Sequence, residues 1–165
     1  QNTFMIQRIQ TIFLILFIGS IISSFFFPVW QKIEFEDGNE KVTSIITGFI
    51  LNSFYEENNE TIIYDNFYES GILVLCCILA TYSIFSYKNR LTQIKFGTIN
   101  SFFTSLVVIK FLYDIFYNKL FLNINDKISF LFSFYLIFLA IFFNFLSNRF
   151  IRKDELLVNE SKRIR

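Results

Sequence analysis

Histidine is absent from this 165-residue chain. The commonest metal ligand and the commonest general base are thereby missing. Ser–His–Asp and Cys–His nucleophile systems cannot be assembled within it. Cysteine is nearly absent. Cys76 and Cys77 are the only two, adjacent and inside the apolar run from Ile72 to Tyr82. Neighbouring cysteines rarely reach disulfide geometry with each other, so they read as small core residues rather than a redox or metal pair. Charge is scarce as well. Only 18% of residues are charged, and a net charge of +1 gives no reason to expect nucleic acid or another polyanion as a partner. No cofactor and no catalytic residue are expected.

What the chain has in abundance is apolar surface: 53% of residues are hydrophobic, 21% are aromatic and 25 are Phe. An ordinary soluble domain is roughly 45–50% apolar and roughly 25% charged. A water-soluble fold of this length has no interior large enough for so many Phe side chains. Lipid is therefore the expected solvent. A disordered chain, a disulfide-rich secreted domain and a nucleic-acid-binding domain are excluded on the same grounds.

A transmembrane helix needs about 20 predominantly apolar residues. Four stretches meet that need, at about 6–27, 70–87, 96–117 and 128–147. None alternates with period two, so helices are expected rather than barrel strands. Phe and β-branched residues are weak helix formers in water, but in lipid the backbone must satisfy its own hydrogen bonds. The first stretch follows Arg8, and Phe25-Phe26-Phe27-Pro28-Val29-Trp30 offers no small-residue cleavage site. It reads as a retained helix with a proline stop and Trp30 as an interface anchor, not a signal peptide. Met5 reads as a natural start, with Gln1 to Phe4 an upstream extension or an added remnant.

Lysine and arginine in short loops set orientation. Arg8, Lys88, Arg90 and Lys95 join Arg149, Arg152, Lys153, Lys162, Arg163 and Arg165 on one side, against Lys32, Lys41, Lys119 and Lys127 on the other. Ten against four places both termini in the cytoplasm, with residues 148–165 a cytoplasmic tail in which Ser147 to Arg152 continues the fourth helix and Lys153 to Val158 keeps helical character. The long hydrophilic segment, 31–69, then lies outside. It carries nine acids and two lysines, with Asp65 and Glu69 at its far end. Lys32-Ile33-Glu34-Phe35-Glu36 alternates and Asp37-Gly38-Asn39 signals a turn, so a β-hairpin is expected there. Residues 45–54 read as a further strand or an interfacial segment. No Asp-x-Asp-x-Asp-Gly spacing supports calcium, and Asn59-Glu60-Thr61 is a weak glycosylation pattern.

Lys110 and Asp114 lie four residues apart on one face of the third span. An ionisable group inside a membrane raises a functional question by default. Near a span's end, the ordinary reading is an interfacial ion pair with a snorkelling lysine. No other acid or base is expected deep in a span. Polar residues such as Ser101, Thr104 and Asn144 are expected to bond backbone or neighbouring helices. Gly19 with Ser23, and Ser101 with Ser105, are small-residue pairs that point to close helix contacts.

Three charged words stand out: Met5-Ile6-Gln7-Arg8-Ile9-Gln10-Thr11, then Tyr87-Lys88-Asn89-Arg90-Leu91-Thr92-Gln93-Ile94-Lys95, and then Asn148-Arg149-Phe150-Ile151-Arg152-Lys153-Asp154-Glu155-Leu156-Leu157-Val158, with Ser161-Lys162-Arg163-Ile164-Arg165 closing the chain. With them the sequence resembles, end to end, a family of small four-helix inner-membrane proteins of Bacteroidota-type bacteria whose domain has no assigned function. The resemblance implies fold, topology and bacterial inner-membrane location, and no activity. The words all fall on the expected cytoplasmic face. Gln7, Arg8, Gln10, Asn89, Arg90, Gln93, Asn148 and Arg149 are thus candidates for partner contact, or for a ring that knits the helix ends together.

The expectation is one membrane domain over residues 1–165. It is an all-α membrane protein, a four-transmembrane-helix bundle with a small β-rich extracytoplasmic loop between helices 1 and 2. The expected role is non-enzymatic, as an accessory subunit or scaffold held by a membrane-protein partner or by self-association. The alternative is a small oligomeric transporter or channel with Lys110 and Asp114 as its charged elements. A reconstituted protein silent across a broad solute panel would sink that alternative.

Overall fold

The computed structural model describes residues 2–36, 39–41, 53–57, 60–64, 67–86, 89–116 and 127–163. Side-chain surroundings are described for 9–30, 67–86, 89–113, 116 and 128–159. Helix α1 spans Asn2–Ser24, α2 Phe67–Phe85, α3 Arg90–Phe116 and α4 Phe132–Arg163. Strands β1 (Trp30–Glu36), β2 (Asn39–Lys41), β3 (Ser53–Glu57) and β4 (Glu60–Tyr64) lie between α1 and α2, and β5 (Lys127–Phe130) precedes α4.

The end of α1 shows how local chemistry directs the chain. The amides of Phe25 and Phe26 donate to the carbonyls of Ile22 and Ser23 at 3.2 and 3.1 Å. Such three-residue bonds tighten a last turn. Pro28, with no N–H, cannot carry the helix onward. The backbone straightens into β1, which pairs antiparallel with β5 from Trp30 opposite Phe130 to Ile33 opposite Lys127. The other edge of β1 pairs with β2, Glu34 opposite Lys41, and β3 pairs separately with β4. Asp37, Gly38, Asn59 and most of the 45–54 segment lie outside the described residues.

That pairing corrects two expectations. Residues 128–130 are strand, not the start of a helix, because Ile128 and Phe130 are held against β1. Trp30 is no exposed anchor: only 4% of its surface is accessible, and it joins the core cluster with Val29, Leu14 and Phe17. The same pairing seats the start of α4 on the end of α1. The amide of Leu131 donates to the Val29 carbonyl at 2.8 Å, and Ser133 Oγ donates to the Ser24 carbonyl at 2.7 Å.

The four helices form a ring in which α1 packs on α2 and α4, and α3 packs on α2 and α4, with α1 against α4 the most extensive contact. Large apolar side chains such as Ile15, Ile78, Phe102, Ile109, Phe138 and Phe142 point outward. An outer surface so apolar suits lipid rather than water. Among the described residues, three helical segments are long and apolar enough to cross a membrane: Phe67–Phe85, Arg90–Tyr113 and Phe132–Asn159. The described apolar part of α1, Ile9–Ser24, is shorter. Cys76 and Cys77 are free thiols, the first buried in α2.

The starts of α2 and α3 differ from those expected, while the end of α3 at Phe116 agrees with the expected limit near 117. α2 begins at Phe67 rather than near residue 70, so Glu69 is a helical residue and not part of a loop. α3 begins at Arg90 rather than near 96. Its first turn is stabilised by the Gln93 amide on the Asn89 carbonyl at 3.2 Å. α4 runs to Arg163 without a break, so the helix continues past the span's expected end at 147 into the tail, as expected for residues 147–158. At about 1.5 Å per residue its 32 residues reach about 48 Å, well past a hydrocarbon core of about 30 Å.

Candidate functional site

A seam of polar side chains runs through the bundle at the end where α2 meets α3. On α3, Gln93, Gly97, Asn100 and Thr104 follow one another at intervals of four, three and four residues. On α4, Asn144, Ser147, Ile151 and Asp154 follow at three, four and three. Both patterns keep one helix face in register with a neighbour. All eight residues are buried.

The bonds across the seam are specific. Asn144 Nδ2 donates to the Gly97 carbonyl at 2.7 Å and to Ser101 Oγ at 2.8 Å, tying α4 to α3. A side chain reaches the Gly97 carbonyl because the two helices approach closely there. A methyl group added at Gly97 would run into the side-chain amide of Asn148. Ser147 Oγ donates to the Gln10 carbonyl at 3.3 Å and brings in α1. Gln93 Nε2 donates to the Ser83 carbonyl at 2.8 Å and brings in α2. Asn100 is fully buried, and neither of its amide atoms has a hydrogen-bond partner among the described residues. A buried amide left unmatched costs about 1–3 kcal/mol.

Among the described residues, two ion pairs bracket the bundle. At the seam end, Arg90 Nε lies 2.8 Å from Asp154 Oδ2, with the aspartate side chain completely buried and the arginine 21% exposed. The contact is one of charge rather than a well-aligned hydrogen bond. Toward the strand-bearing end, Lys110 of α3 pairs with Glu69 of α2, whose carboxylate is almost wholly buried while the lysine stays half exposed. The Asp114 side chain lies outside the described residues, and with it the expected Lys110–Asp114 pair. Glu69 is buried in the first turn of α2, at the end of the helix rather than deep within it, and not in the loop where the sequence reading places it. Its place after Ser53–Tyr64 in an acidic stretch made it look like loop.

The eight candidate contact residues divide. Gln10 and Gln93 are buried, and Arg90 is turned onto Asp154. Asn148 is half-buried beside Gly97, while Asn89 and Arg149 are exposed. The side chains of Gln7 and Arg8 lie outside the described residues. The expected bonding of Ser101, Thr104 and Asn144 to backbone and neighbouring helices is present, Thr104 Oγ1 donating to the Asn100 carbonyl at 2.7 Å. Gly19, by contrast, faces open space, so Gly19 with Ser23 is not a point of close approach. Gly97 takes that role. Asp154 and Asn100 were missed, although the alternating three- and four-residue spacing of the polar positions on α3 and α4 carried the signal.

No curated protein matches this chain. Over residues 6–164 it matches the model of a domain of unknown function, DUF4293. That span takes in the whole of α2, α3 and α4 and most of α1, together with the polar seam and the two ion pairs described, and the chain therefore belongs to the DUF4293 family.

Proposed function

We propose that the protein is a four-span integral protein of the bacterial inner membrane, with both termini cytoplasmic and the strands β1–β5 outside. It acts without catalysis, as an accessory subunit or scaffold of a membrane complex. The observation that carries the role is the far end of α4. Beyond the bilayer, this helix presents Leu156, 63% exposed, and Leu157 beside the exposed charges of Arg152 and Lys153. Exposed leucines among charges on a projecting helix are the kind of anchor a partner groove accepts. Arg90 on Asp154 and Ser147 on the Gln10 carbonyl hold this helix against α3 and α1, which leaves the docking to the outer face of α4.

Native mass spectrometry on protein gently extracted from its own membrane is expected to give a complex of fixed stoichiometry. The Leu156→Glu/Leu157→Glu variant should reduce its yield at least tenfold while leaving helical content unchanged. Equal yield from both proteins would remove α4 as the docking element, and a bare monomer from the wild type would remove the accessory role.

The topology has its own check. With Cys76 and Cys77 replaced by alanine, single cysteines introduced at Gly38 and Asn159 should label from opposite sides of the membrane. Labelling of both by one impermeant reagent in intact cells would overturn the four-span map.

A further inference from the structure

On the outer side of the polar seam, α3 and α4 leave a groove of about 400 Å³. It is lined by Thr98, Ser101, Phe145, Asn148, Arg149 and Arg152. The α4 residues fall at intervals of three, one and three, a single face of one helix. No acid lines the groove. The nearest buried carboxylate with a cation, Asp154, is already committed to Arg90. Arg149 and Arg152 are exposed and have no ion-pair partner among the described residues. Ser101 Oγ already accepts from Asn144, which leaves its own hydrogen free to donate. One turn toward the apolar part of the bundle, Phe145 is exposed and continues the groove as a hydrocarbon surface.

Two arginine forks, a free hydroxyl hydrogen and an amide suit a tetrahedral oxyanion, since guanidinium pairs with phosphate in bidentate fashion. We propose that this groove binds a phosphate group, that of an anionic phospholipid, with the phosphate on Arg149, Arg152 and Ser101 and the lipid chain along Phe145. The proposal uses the reading that α3 and α4 span the membrane, and it does not require the partner complex. A headgroup seated between two helix ends would hold α4 at the angle from which its projecting end departs.

The protein is tested whole, in nanodiscs of phosphatidylcholine alone and of phosphatidylcholine with phosphatidylglycerol, by native mass spectrometry of retained lipid. Phosphatidylglycerol is expected to be retained in preference, and Arg149→Gln/Arg152→Gln to weaken that retention about 10- to 30-fold. Because both arginines are exposed and unpaired among the described residues, the double variant should melt within a degree or two of wild type, which separates lost binding from lost fold. In the phosphatidylcholine discs, inorganic phosphate is titrated by equilibrium dialysis. Arginine-dependent uptake there would keep the phosphate site and assign it to a soluble phosphate instead of a headgroup. Equal retention of the two lipids with no phosphate uptake would overturn the proposal, and so would retention unchanged in the double variant.

Discussion

Arg90→Ala is expected to lower the stability of the detergent-solubilised protein by about 3 kcal/mol, the low end of what removing one partner from a buried ion pair costs. The reason is the asymmetry of the pair. Arg90 keeps 21% of its side chain exposed, whereas Asp154 keeps none. Truncating the arginine leaves a carboxylate inside the junction of α3 and α4 with no opposite charge beside it. Arg90→Lys should recover part of the loss, because a point charge returns without the guanidinium's reach. The double variant Arg90→Met/Asp154→Leu should recover most of it, since a buried pair exchanged for apolar groups of similar volume is often neutral. Thermal unfolding followed by circular dichroism gives the ranking. Limited trypsinolysis gives a local reading, as cleavage at Arg152 and Lys153 should accelerate once the end of α4 is released. A melting curve for Arg90→Ala that overlays wild type would show that this pair does not hold α4.

The second large effect is expected at Gly97. A Cβ at this position meets the side-chain amide of Asn148, so Gly97→Ala forces either that amide or the two helices apart. Overpacking of this kind costs about 1–3 kcal/mol. The obstacle is one side chain and not backbone, which makes the effect separable. Asn148→Ala alone should cost less than about 1 kcal/mol, because its Oδ1 has no hydrogen-bond partner among the described residues. Combined with Gly97→Ala it should restore most of the lost stability. Two mutations in contact are expected to be non-additive, and the size of the coupling measures the contact. Strict additivity of the two changes would mean that the helices do not approach here as described.

Both effects act on α4, whose position bears on the proposed docking end and on the phosphate groove alike. Asn148 is shared: it borders Gly97 on one side and lines the groove on the other. A Gly97→Ala protein whose Asn148 swings into the groove should therefore lose phosphatidylglycerol preference along with stability, while Arg90→Ala should change stability first.

Much of the architecture was legible in the linear chain. Apolar runs of this length have few alternatives once the solvent is lipid, because only a helix satisfies every backbone group within one segment. Among the described residues, three of the four expected runs lie in helices long and apolar enough to span a membrane. The adjacent cysteines could be read as free thiols because neighbouring cysteines rarely reach disulfide geometry with each other. The bonding of Ser101, Thr104 and Asn144 to neighbouring helices and backbone followed from the same shortage of water.

Tertiary structure alone decided which polar groups face inward. Glu69 and Asp154 stand in charged stretches that read as loop and tail, and each is buried only because a cation on α3 meets it. Trp30 turns from the expected interface into the core because β1 pairs with a strand about a hundred residues later in the chain. Ser147 is committed to a carbonyl 137 positions away. Hydrophobic length and backbone self-sufficiency are local properties, so a single sequence carries them. The burial of a charge is a balance between desolvation and a partner, and the partner's place exists only after the helices have packed.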